Sequence, residues 1–109
     1  MKPHLPRLYS RLPQIGKARI SRISVDDHYT VVYLDDGTSV RLLLRFADSV
    51  KEMDETEGFL THRSHWVAAG YIESAVREGA KEFLVMNCGE KVPVSKTYRA
   101  NAVHTGLLT

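Results

Sequence analysis

The sequence predicts a mostly antiparallel β domain, and three observations lead there. Six or seven short segments are dense in β-branched and aromatic residues and are bounded by turn formers. Only one or two short stretches carry helical spacing. With strand segments far outnumbering helices, no interior βαβ crossover is apparent, so the pairing should be mostly antiparallel.

Along the chain, residues 1–15 hold Pro3, Pro6 and Pro13 among alternating basic and apolar residues. They read as a basic, proline-rich arm or linker remnant outside the core, with the domain proper at 16–109. Ile20, Ile23 and Val25 begin a strand that breaks at Asp26-Asp27-His28. YTVVYL follows, Asp35-Asp36-Gly37 supplies a hairpin turn, and SVRLLL returns. In FADSVKEM, Phe46, Val50 and Met53 fall at helical spacing, with Asp48 early and Lys51 late as the helix dipole favours. DETEG ends this helix. Strand signals resume at FLTH and at YIESAV. Glu78-Gly79 turns the chain into KEFLVM, Asn87-Cys88-Gly89 turns it again, and KVPV follows. Pro93 cannot donate to a ladder, which makes KVPV an edge strand or a strand end. YRANAVHTGLL closes with a helical turn stopped at Gly106.

The chain's 109 residues suffice for one hydrophobic core. No apolar run approaches the ~20 residues of a membrane helix. MKPHLPRLYSRLP lacks the apolar region of a signal peptide, so a cytoplasmic setting is expected. The lone Cys88 has no cysteine to pair with in the chain and no neighbouring cation to activate it, and reads as a reduced thiol. Net charge is +2, but it is segregated: residues 1–25 carry six bases and no acid, while residues 26–57 carry nine acids and three bases. That pattern fits a basic face, and equally a basic arm beside a solvated acidic stretch.

The stretch FLTHRSHWVAAG packs two histidines, an arginine, a serine and the only tryptophan together. For zinc, His62 and His65 are one residue closer than a zincin pair, and on a continuous strand a spacing of three sends side chains to opposite faces. No metal and no other cofactor is expected. For nucleophilic catalysis, Ser64 lacks the glycine-flanked elbow, and neighbouring strand side chains diverge, so His65 is poorly placed as its base. No phosphate loop or dinucleotide fingerprint occurs, so neither an enzyme nor a small-molecule substrate is expected. For nucleic acid, Arg63 has the planar fork that pairs with a guanine edge or a phosphate. Asp27-His28-Tyr29 and Ser95-Lys96-Thr97 offer polar side chains at two further junctions. Trp66 and Tyr71 read as packing residues. Arg22, Arg41 and Arg45 read as phosphate contacts or as the solvated faces of strands. His4 and His104 carry no role.

These junctions also carry a family resemblance. DDHYTVVYLDDG, HRSHWVAAGYIESA and GEKVPVSKTY, in this order around the FADSVKEM helix, resemble the LytTR-type DNA-binding domain of bacterial transcriptional regulators over roughly residues 17–106. The HRSHW and RFADS variants are similar to its alphaproteobacterial branch. The resemblance implies an elongated arrangement of small antiparallel sheets, a LytTR-like β-β-β sandwich, whose loops enter successive major grooves of double-stranded DNA. It places base contacts at His28, Arg63 and Lys96, with His62, Ser64, Ser95, Tyr98 and Arg99 contacting the DNA backbone or shaping the loops. Lys96 stands where arginine is common, keeping the charge but losing the fork. Two copies on direct-repeat sites, and a receiver or membrane segment in a longer parent protein, are also implied. The competing class is a protein–protein interaction module that docks a partner through an exposed edge such as KVPV.

Overall fold

The computed structural model describes residues 5–106 and 108. Eight strands form two antiparallel sheets. They are β1 (Ile20–Asp26), β2 (Tyr29–Leu34), β3 (Ser39–Leu42), β4 (Gly58–His62), β5 (His65–Ala68), β6 (Ile72–Glu78), β7 (Lys81–Met86) and β8 (Lys91–Val94). Helix α1 (Phe46–Lys51) follows β3, and α2 (Arg99–Val103) follows β8. The first sheet has the order β3-β2-β1-β5-β4 and the second β6-β7-β8.

At β4 and β5 the larger sheet is covered on both faces, and the two-residue alternation of these strands shows how. On β5, Trp66 and Ala68 join a core with Leu8, Ile20, Ile23, Val32, Leu34 and Met53. Phe46 and Val50 of α1 pack against that core. Val67, between them, joins Leu84, Met86, Val92, Ala102 and Leu108 of the second layer. β4 divides likewise, Leu60 packing on the first cluster and Phe59 on the second. An ion pair of Arg22 on β1 with Glu90, just before β8, also ties the layers together, and the guanidinium carbon lies 3.6 Å from the centre of the Tyr33 ring.

The turns match the sequence reading. Gly37, Gly79, Gly89 and Gly106 all take positive φ at the expected breaks. β8 is an edge strand, with Pro93 opposite Phe83.

Two expectations differ from the structure. Residues 5–15 are not an arm outside the core. Arg7–Arg11 form a 3-10 turn whose Leu8 is fully buried in the first cluster, flanked by Tyr9, Leu12 and Ile15. Arg7 pairs with Asp54 at 2.8 Å and Arg11 with Glu52 at 2.7 Å, so basic residues clamp this turn onto the acidic segment after α1. The apolar residues between the basic ones carry the packing. Residues 1–4, and with them His4, lie outside the described residues. The second difference is β5, an extra strand in HWVA that pairs with both β4 and β1.

Candidate nucleic-acid interface

Three junctions meet at one end of the larger sheet. β1 runs toward Asp27-His28 and pairs antiparallel with β5, Ser24 lying opposite His65. The β1–β2 turn and the β4–β5 turn therefore leave the sheet on the same side. The Val25 amide donates to the Ser64 carbonyl at 3.2 Å, tying one turn to the other. The Ser95 amide donates to the Thr61 carbonyl at 2.8 Å, which brings the loop after β8 alongside β4. With strands about 5 Å apart, the first two turns are separated by about 10 Å, and the loop at Ser95 extends the row to about 17 Å of backbone.

His28 sits in a two-residue turn between paired Asp26 and Tyr29. Asp27 takes φ 55°, a left-handed conformation that aspartate tolerates better than most residues. The His28 side chain is 85% exposed, with Nε2 3.7 Å from Asp27 Oδ1. Arg63 and Lys96 are exposed, and neither makes an ion pair or side-chain hydrogen bond with any described residue. Two other basic candidates are engaged instead: Arg22 with Glu90, and Arg41 with Asp26 at 2.7 Å. Arg45, exposed and without an ion pair among the described residues, lies just past β3, whose Leu42 is opposite Thr30 at this same end.

The supporting residues divide. His62 and His65 pair across the β4–β5 turn, their rings edge-to-face with centroids 5.5 Å apart. The expectation of opposite faces fails because the chain reverses between them. His62 Nδ1 accepts the Ser64 amide at 3.1 Å. Burial, with His62 and Arg22 nearby, holds the His65 imidazole down at about 4, so this ring is neutral near pH 7. Thr61 Oγ1, His65 Nδ1 and Ser95 Oγ are buried without a described partner at the root of these loops. Tyr98 stands at the start of α2. Arg99 binds Glu82 of β7 at 2.6 Å, an ion pair that anchors α2 to the second sheet. Trp66 is core. No group of three or more histidine, cysteine or acidic side chains suited to a metal occurs among the described residues, nor does a helix long and apolar enough to cross a membrane.

The strand HWVA and the His62–His65 contact are what sequence reading missed. The available signal was the two-residue gap between FLTH and HWVA, a hairpin spacing.

The molecule is thus a β domain whose polar turns line one end of its larger sheet. The family profile for the LytTr DNA-binding domain matches residues 10–104. The chain belongs to this family of DNA-binding domains. Its fold resembles the LytTr DNA-binding domain of a protein assigned as a methyl-accepting/DNA response regulator from Bacillus cereus, with TM-score 0.68, 20% identity and 79% of each chain covered. No curated protein matched the sequence.

Proposed function

We propose that the domain binds double-stranded DNA sequence-specifically, as the output module of a bacterial transcriptional regulator. His28, Arg63 and Lys96 are the groups that approach base edges. The alignment of their three turns at one end of the sheet carries this reading. Two of the three also offer charges that no described acid neutralises. The row spans about 17 Å of backbone, and one major groove is about 12 Å wide. The row is wider than one groove, so the three side chains do not share a single insertion. Phosphate contacts supply the salt-dependent affinity, and Arg45 is placed for one. Two copies on direct repeats, and a receiver or membrane segment elsewhere in a longer cytoplasmic-facing parent, complete the proposal.

Selection from a random duplex library, followed by gel-shift titration at two salt concentrations, tests it. A defined site whose affinity collapses with salt is the expected result. Failure to enrich any sequence would overturn it. A protein-interaction module is the second reading, favoured by Leu43, 81% exposed beside edge strand β3. Its complex would change little with salt.

A further inference from the structure

The β4–β5 turn is unusual in how it is held. Two-residue hairpin turns favour the forms that need positive φ, as Asp27 supplies between β1 and β2. Neither Arg63 nor Ser64 takes positive φ. The pairing instead carries an irregularity between Leu60 and His62, a bulge of the kind that re-aims a strand end. The turn's conformation must therefore come from other contacts, and the structure provides two. The Ser64 carbonyl accepts from the Val25 amide at 3.2 Å. The Ser64 amide donates to His62 Nδ1 at 3.1 Å. The second bond runs from a side chain to the amide two residues on, the geometry in which asparagine or aspartate makes an Asx turn. His65, across the hairpin, presses edge-to-face on the His62 ring and limits its rotation.

We infer that His62 is the positioning residue for Arg63. Its Nδ1 acts as an acceptor that closes the turn through the Ser64 amide, and its ring does not contact DNA. The bond requires the tautomer with the proton on Nε2. This inference rests on the proposed DNA-reading role of Arg63, and it decides between two jobs for His62, backbone contact and loop shaping. The two roles call on different ring nitrogens: closing the turn needs Nδ1 as acceptor, whereas a DNA contact would fall to Nε2. Asparagine places an acceptor near the position of Nδ1, whereas glutamine places one near Nε2.

The test compares His62→Asn, His62→Gln and His62→Leu in the full chain, with thermal unfolding run on each to confirm folding. Two readouts apply. Amide exchange at Ser64 needs no DNA, and base preference opposite Arg63 is measured by competition among single-substituted operators. The expected result is a protected Ser64 amide in wild type and His62→Asn, and a faster one in His62→Gln and His62→Leu. Discrimination at the Arg63 base pair should survive in His62→Asn and fall about tenfold in the other two, with the salt dependence unchanged. The inference is overturned if glutamine rescues and asparagine does not, or if all three variants weaken every sequence alike with a shallower salt slope. It is also overturned if Ser64 exchanges at the wild-type rate in all three. A wild-type chain that binds no DNA removes the functional reading, and Ser64 exchange then judges the turn closure alone.

Discussion

The amide of Ser95 donates to the carbonyl of Thr61 at 2.8 Å, and this hydrogen bond joins the end of one sheet to the end of the other. Lys96 hangs from β8 and Arg63 from β4, so their separation depends on it.

Ser95→Pro removes that donor and sets the ring Cδ against the Thr61 carbonyl, so the loop must draw away from β4 and leave that carbonyl unpaired. Stability should fall by about 1–3 kcal/mol, the cost of an unpaired carbonyl. Operator affinity should fall further than stability alone explains. Urea unfolding and gel-shift titration would show both.

Arg63→Ala should cost about 1–3 kcal/mol on the specific site and relax preference at one or two base pairs. Lys96→Ala separates base from phosphate contact. A pure phosphate contact weakens all sequences alike and lowers the salt slope by about 0.9. Equal operator binding by Arg63→Ala and wild type would refute the assigned readout.

Gly58 opens β4 directly against the Trp66 indole. A Cβ there would overlap the ring and lie 2.5 Å from the Val67 carbonyl oxygen. The carbonyl cannot rotate away without breaking the β4–β5 ladder. Gly58→Ala should therefore destabilise by about 3 kcal/mol or more, visible as a large drop in denaturation midpoint, whereas Gly70→Ala meets nothing within 4 Å and serves as the control.

Leu8 is fully buried against Trp66 and its neighbours. Leu8→Ala should cost about 2–5 kcal/mol. Deletion of residues 1–12 should be at least as damaging, since Arg7–Asp54 and Arg11–Glu52 would go with it. A deletion variant as stable as the full chain would show that the segment only rests on the core.

Acidification should act in two windows. Burial first, then His62 and Arg22, lowers His65 from 6.5 to about 4. The unfolded chain then binds the extra proton, so stability is full above about 6.5 and falls as pH drops toward 4. Because the ring is only partly buried, the loss should be on the order of 1 kcal/mol once solvent screening is allowed for. Asp54, held at about 2 by hydrogen bonds from Arg7, adds its loss only below about 3.8. Stability measured from pH 7 to 4 in wild type and His65→Gln would test the upper window, where the variant's profile should be flatter.

How much of this was legible in the sequence depends on what each signal encodes. Turn chemistry is local, so Asp35-Asp36-Gly37, Glu78-Gly79 and Asn87-Cys88-Gly89 marked their hairpins, and Pro93 marked an edge. The segment around Leu8 was misleading because three prolines and alternating charge look the same in a tail and in a turn clamped by distant acids. HWVA was hidden because its three apolar residues are buried toward two cores at once, Trp66 and Ala68 on one side and Val67 on the other. Strands covered on both faces lose the polar alternation that announces them. The junctions of the candidate site were visible as polar side chains between strand signals. Their alignment was not, since strand order β3-β2-β1-β5-β4 is a property of long-range pairing. Nor was the engagement of Arg22, Arg41 and Arg99 by Glu90, Asp26 and Glu82, which leaves fewer mobile cations than composition suggests.

Because two of the three junctions spring from the larger sheet and the third from the smaller, the apolar seam of Val67, Leu84 and Val92 acts as a ruler. On the proposed reading, the spacer that an operator must place between its outer contacted bases is calibrated by side-chain volume in that seam. On that reading Val92→Ala would re-gauge which binding sites fit, although Val92 is fully buried.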